Sequence, residues 1–259
     1  MKLCGWSRAK RPGFFVSAGE GYTPAMVKLK NYAVVPIAWV KDKEVKALPG
    51  ERSLFTTGEE WDLSGCVNLE DLARRVRGCS RCPLRQGASQ VVFGEGNPQA
   101  RLVLCGEGPG ADEDRLGRPF VGRAGQLLDK ILAACGFERF THVYILNTVK
   151  CRPPGNRIPT PQERQACRPN LDAQLRILKP QIMVLLGATA LQEILGADRR
   201  ITRDRGKWVQ MGGVWIMPTY HPAALLRNPA LKRDTWEDFK QVVYKYRELI
   251  DPQHYSPHC

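Results

Sequence analysis

The chain has 259 residues, 43% of them hydrophobic, with 39 Lys and Arg against 26 Asp and Glu, a formal net charge of +13 and nine cysteines. That length suits one sizeable α/β domain with an appendage, or two small domains. No run approaches the roughly 18 apolar residues of a membrane span, and the N-terminus lacks the charged, apolar and small-residue order of a signal peptide, so a cytoplasmic protein with no membrane partner is expected.

The sequence pI of about 9.5 points to a polyanionic partner, with nucleic acid first; a solvated surface that merely aids solubility is the plain alternative. The first 65 residues hold ten bases and seven acids, so the excess of charge belongs to the rest of the chain and not to a detachable basic tail. An odd number of cysteines without an export signal argues against a disulfide framework and for metal binding or buried thiols.

Residues 1–65 are broken by Gly, Pro and Lys. "NYAVVPIAWV" offers at most one strand or hairpin, Met26 is an alternative start, and a peripheral or poorly ordered extension is expected. From Val67 the pattern becomes helical: Leu69, Leu72, Ala73 and Val76 recur at helical spacing behind Asn68 as N-cap, with Glu70 and Asp71 in the first turn. Four apolar runs follow, "RLVLCG", "VYILN", "QIMVLLG" and "VWIMP", each suited to a strand buried on both faces. Helical stretches lie between them: "AGQLLDKILAACG", "TPQERQAC" continuing past Pro169, and "ATALQEILG". "DTWEDFKQVVYKYRELI" closes a domain over 66–252, and 253–259 is left as a tail. This alternation predicts a three-layer α/β/α sandwich with a central four-stranded parallel sheet.

In such sheets ligands bind beyond the carboxyl ends of the strands. Three segments occupy that position: the glycine-rich acidic loop "GEGPGADED" after the first run, Asn147 at the end of the second, and "TYHPAALLR" after the last. All three are predicted to meet over one crevice.

Cys79 and Cys82 form a C-x-x-C pair, a pattern shared by redox sites and zinc knuckles. Cys151 and Cys167 flank a Pro- and Arg-rich loop that can fold back toward it. The irregular spacing, with Pro83 after the pair, fits a cubane iron-sulfur cluster at least as well as zinc, and ordinary loop thiols are the third reading. Cys66, Cys105 and Cys135 read as small buried apolar residues; Cys4 and Cys259 lie in tails without a role.

The order "GEGPGADEDRLGRPFVGRAG", "ILNTVKCRPPGNRIPTPQERQAC", "TYHPAALLR", behind a C-x-x-C, resembles the family 4 uracil-DNA glycosylases, the iron-sulfur type of bacteria and archaea, over about residues 66–250. The resemblance implies a structural [4Fe-4S] cluster on Cys79, Cys82, Cys151 and Cys167. It also implies a uracil pocket floored by Gly106, Glu107, Gly108 and Pro109, Phe120 stacked on the extruded base, and Asn147 reading its Watson-Crick edge. His221 would lie near O2 and stabilise the departing anion. Leu225 would enter the duplex as a wedge, with Leu226 the alternative if the register differs by one. Arg227, Arg152 and Arg157 would lie along the DNA backbone.

The best-known uracil-DNA glycosylases carry an Asp where this chain has Gly108, so the group that orients water is sought among Glu107 and Glu113; Asp112 and Asp114 are expected to cap the next turn or face solvent. The expected activity is that of a monofunctional glycosylase that hydrolyses the N-glycosidic bond of uracil in single- or double-stranded DNA and leaves an abasic site, with no motif lysine read as a Schiff-base candidate. A catalytically weak or covalent uracil-DNA-binding module is the alternative, its covalent form disfavoured because "GNRIPTP" holds no histidine. A monomer is expected, with room for a protein partner such as a sliding clamp.

Overall fold

The computed structural model describes residues 61–259. The strand expected within 31–40, Met26 and Cys4 lie outside them, as does the extension except for 61–65, which is docked: Leu63 is buried and Trp61 Nε1 donates to Asn170 Oδ1 at 2.8 Å.

The predicted sandwich is present. Strands β2 (Leu102–Gly106), β3 (Val143–Asn147), β4 (Ile182–Leu186) and β6 (Val214–Thr219) pair in parallel. Two short antiparallel edge strands, β1 (Glu95–Gly96) and β5 (Val209–Met211), extend the sheet to the order β1-β3-β2-β4-β6-β5. The sequence reading missed both edges, because two or three half-buried residues make no apolar run.

Every residue of β2, β3 and β4 is buried, and alternate side chains feed opposite cores. Val103, Cys105, Tyr144, Leu146, Met183 and Leu185 pack with α1 (Leu69–Arg77), α5 (Pro161–Leu178) and α6 (Ala188–Leu195). Leu102, Leu104, Val143, Ile145, Ile182 and Val184 pack with α4 (Arg123–Ala134) and α9 (Leu231–Leu249). Asn68 caps α1 as expected, accepting from the Asp71 N–H at 2.8 Å. Thr160 and Glu163 form a capping box at the start of α5, which runs unbroken through Pro169.

The segment after α9 is not a loose tail. His254 and Ser256 are buried, His254 Nε2 lies 2.9 Å from the Cys135 carbonyl, and Arg247 donates to the carbonyls of His254 and Cys259. Cys66, Cys105 and Cys135 are buried, as their apolar surroundings suggested.

The chain runs from β2 to β3 on one side of the sheet and then crosses to β4 on the other side of β2, so the order of strands reverses there. Loops leaving the carboxyl ends of β2 and β4 diverge at such a point and open a crevice. Parallel register sets Gly106 beside Asn147 and Leu186 beside Thr219, which brings the loops after all four strands to one edge. Among the described residues no helix is long and apolar enough to cross a membrane.

Candidate active site and cysteine cage

The geometry begins at Gly106, the last residue of β2. A Cβ there would lie 2.5 Å from Asn147 Oδ1 and 2.5 Å from Phe120 Cζ, so a side chain is excluded by two groups that arrive from different loops. The Phe120 ring lies 5.5 Å from the His221 ring, tilted by 33°. Gly106, Phe120, Asn147 and His221 therefore share one hollow, as the loop positions predicted.

Phe120 is held by a frame of its own. Its backbone is left-handed, φ 51°, an unusual conformation for a bulky residue. Arg139 donates to the carbonyls of Pro119 and Phe120, and is itself gripped by Glu95 at 2.6 Å and Asp129 at 2.9 Å. On the other side the Glu113 carboxylate accepts from the N–H groups of Val121 at 2.9 Å, Gly122 at 2.8 Å and Gly110 at 3.1 Å. Both Glu113 oxygens are thus engaged by backbone at the start of α3 (Ala111–Leu116), which leaves this acid as a brace of the loop.

The expectation for Asp114 is corrected. It is 4% exposed and accepts from the N–H groups of Ser89 and Gln90, tying this loop to the segment before β1. Asp112 is exposed and pairs loosely with Arg115. Glu107 is half-buried; its Oε2 takes the hydroxyl of Thr189 from α6, and its carbonyl takes the Thr148 hydroxyl at 2.5 Å.

Asn147 is 2% exposed, and its Oδ1 has no hydrogen-bond partner among the described residues. Burying an amide oxygen unpaired is costly, which makes such an atom a signature of an absent ligand donor. His221 caps α8 (Pro222–Arg227), its Nδ1 accepting from the Ala223 N–H at 3.1 Å, so the ring proton resides on Nε2. Burial, and secondarily the positive Arg227, push its pKa down to about 4, and the imidazole is a neutral donor.

Space for His221 comes from Gly187, φ 93°, where a Cβ would sit 2.9 Å from His221 Cβ. The strand leading to it is anchored by Asp238 of α9, which takes the Thr219 hydroxyl at 2.6 Å and Arg205 Nε at 3.0 Å.

The wedge assignment is also corrected. Leu225 is 1% exposed because its position on α8 turns it into the core, whereas Leu226 is 39% exposed. Arg227 is exposed beside it. Arg152 donates to Asn156 at 2.7 Å, and Arg157 grips the buried Glu163 through two bonds of 2.8 and 2.6 Å, so both brace their own loop.

Cys79, Cys82, Cys151 and Cys167 line one apolar pocket with Val76, Leu84, Val149 and Lys150. No three of the described His, Cys, Asp or Glu residues stand close enough to hold a single metal ion. Four sulfurs around a hollow that do not converge on a point are the donor set of a polynuclear cluster and not of one zinc. Burial and the neighbouring thiols raise the pKa of Cys151 to about 12 and shift Cys82 and Cys167 upward, so a cationic guest must draw off their protons.

The sequence reading passed over Lys150, Arg139, Thr189 and Asp238. Lys150 lies inside the second motif, yet it is 1% exposed with Nζ on the Asn147 carbonyl at 2.7 Å, an employment that keeps it from acting as a free amine. Asp238 was findable: it is an acid on the apolar face shared by Thr235, Phe239 and Val242. Arg139 and Thr189 carry no such signal.

A planar ring contact, an unpaired amide acceptor and a neutral imidazole donor around one hollow suit a flat heterocycle with its own donors and acceptors. The family model for the uracil DNA glycosylase superfamily matches residues 93–240, the stretch that contains this hollow. The type-4 uracil-DNA glycosylase of Thermotoga maritima is 48% identical over 178 residues, 67% of this chain and 92% of the relative. Those of Sulfurisphaera tokodaii and Archaeoglobus fulgidus are 43% and 42% identical over 73% and 68% of this chain, covering 88% and 92% of the relatives. With the hollow, the cysteine cage and this extent of identity in agreement, the chain belongs to the type-4 family of the uracil-DNA glycosylase superfamily.

Proposed function

We propose that the chain excises uracil from DNA by hydrolysing the N-glycosidic bond, leaving an abasic site for repair. The observation that carries this reading is the buried, unpaired Oδ1 of Asn147 beside Phe120 and His221. Uracil rotated out of the helix stacks on Phe120, offers its N3–H to Asn147 Oδ1, and accepts at O4 from the Asn147 amide. Cytosine has an acceptor at N3 and a donor at C4, so the same amide orientation rejects it.

As the bond from N1 to C1' lengthens, negative charge gathers on the base and His221 Nε2–H donates to O2. The neutral imidazole gives up no proton that the site must recover. Of the two carboxylates considered for orienting water, Glu107 is the one assigned here, with Oε2 steadied by Thr189; Glu113 keeps the loop and Phe120 in place. Leu226 fills the gap left in a duplex, and Arg227 meets a phosphate.

Cys79, Cys82, Cys151 and Cys167 would hold a [4Fe-4S] cluster, whose contribution is to crosslink the segment before β1, the loop after β3 and helix α5. Protein acting alone on DNA, as a monomer, is the simplest working form.

The test uses purified protein, uracil-containing single- and double-stranded oligonucleotides, and alkali. Strand breakage at uracil is expected, together with a brown protein carrying iron. A denaturant-resistant adduct or mere gel retardation without breakage would overturn the hydrolytic reading.

A further inference from the structure

Lys150 heads the fully buried side chains by volume. Burying an ammonium is costly unless charge or hydrogen bonds compensate it, and long basic side chains are rarely enclosed in this way. Its position is three residues after Asn147 and immediately before Cys151. The ammonium donates to the Asn147 carbonyl at 2.7 Å. The Lys150 carbonyl accepts the Val92 N–H at 2.8 Å, and its own N–H bonds the sulfur of Cys167. The same residue lines the pocket of the four cysteines.

The ionisable groups acting on Lys150 are thiols: Cys167, Cys105 and Cys151. Neutral thiols do not balance an ammonium, but ligating thiolates carry the charge that does. One residue therefore touches the ligand set at its backbone and the base-reading strand end at its side chain.

We propose that Lys150 is a positioning residue: an internal counter-cation that joins the thiolate cage to the carbonyl of Asn147, so that loading of the cage fixes the pose of the base-reading amide. This rests on the uracil-DNA glycosylase reading and its cluster. It differs from a structural crosslink, because the coupling runs through one charge and one hydrogen bond that substitution can separate. Methionine removes both, glutamine retains a donor without charge, and arginine retains charge in a broader head.

The experiment compares the full-length parent with K150M, K150Q and K150R, each loaded with iron and sulfide under anaerobic conditions. Four quantities are read: visible absorbance per chain, cluster reduction potential, single-turnover release of uracil from a single-stranded oligonucleotide, and affinity for that oligonucleotide. The potential should fall in K150M and K150Q, since electron uptake by the cage loses a nearby positive charge, and should return toward the parent value in K150R. The single-turnover rate should drop about 10- to 100-fold in K150M and less in K150Q, as expected for a displaced recognition group, with DNA affinity within about twofold. An unchanged potential in K150Q relative to K150R, or a K150M rate within about threefold of the parent, overturns the proposal. If K150M does not load, the comparison of K150Q with K150R decides it alone. A parent that carries no iron or releases no uracil refutes the underlying reading, and that result appears before any variant is made.

Discussion

Gly125 offers a demanding check on how Phe120 is held. It lies in the first turn of α4, where replacing glycine by alanine ordinarily stabilises a helix by up to about 1 kcal/mol. Here a Cβ would stand 1.9 Å from the Phe120 carbonyl oxygen and 2.0 Å from its carbon, against the 3.0 Å below which real contacts essentially never fall. The Phe120 peptide must therefore retreat by about 1 Å, a misplacement that commonly costs about 100-fold in rate. It has little freedom to do so: Arg139 holds the carbonyls of Pro119 and Phe120, and Glu113 holds the next two N–H groups.

Gly125→Ala should accordingly lose about 1–3 kcal/mol of stability through overpacking, opposite in sign to helix propensity. Single-turnover uracil release should fall about 100-fold, while Gln126→Ala, one residue on and exposed, changes neither quantity. Thermal unfolding and alkali-developed gels under enzyme excess read both effects. A Gly125→Ala protein with the parent's rate and an equal or higher Tm would refute the claim that this contact fixes Phe120.

His221 ties activity and stability to pH. Its folded pKa is about 4 against an ordinary 6.5, so the unfolded chain binds more protons between those values; the associated stability is full above 6.5 and is lost as pH falls toward 4, about 3 kcal/mol in all. Urea unfolding from pH 7 to 4.5 should show that decline in the parent and not in His221→Gln, and a measured His221 pKa near 6.5 would disprove the neutral-donor assignment. Glu113→Gln cannot accept all three backbone N–H groups, so it should lower stability by about 1–3 kcal/mol and slow excision with it; slowed excision at unchanged Tm would return Glu113 to the role of water-orienting acid. Leu225→Ala should cost about 2–5 kcal/mol as a core truncation, whereas Leu226→Ala should leave Tm unchanged and impair excision from duplex more than from single strands. Equal duplex activity in Leu226→Ala and the parent would remove the wedge assignment.

The central sheet was legible because its strands are buried on both faces, and "RLVLCG", "VYILN" and "QIMVLLG" announce that burial directly. Three site segments were legible for a related reason: each follows such a run, and parallel register carries their ends to one edge. What escaped was whatever depends on direction within a turn. Leu225 and Leu226 are equally apolar, and only the start of α8 at Pro222 decides which one the core claims. Glu107, Asp112, Glu113 and Asp114 look alike as a string, yet backbone N–H groups from residues 89, 90, 110, 121 and 122 sort them into different tasks. Lys150 escaped because its partner is a backbone carbonyl, which leaves no trace in side-chain identity.

That sorting of acids bears on how a strongly basic protein can make a base leave as an anion. Unbalanced carboxylates at this loop would oppose the departing charge, but Glu113 and Asp114 are each met by backbone donors, and Asp112 lies exposed against Arg115. Their effect is to stiffen the glycine-rich turn on which Phe120 stands. The group left facing the reaction from α8 is an uncharged imidazole, enclosed enough that water does not weaken its bond. Toward neutral uracil that bond is modest, and it strengthens as the glycosidic electrons move onto the ring. Stabilisation that grows along the reaction coordinate accelerates the chemical step, whereas a fixed positive charge would also hold intact substrate and product. The rigid acidic loop and the neutral histidine are thus two parts of one device: the first fixes where the base lies, and the second responds to the charge that appears there.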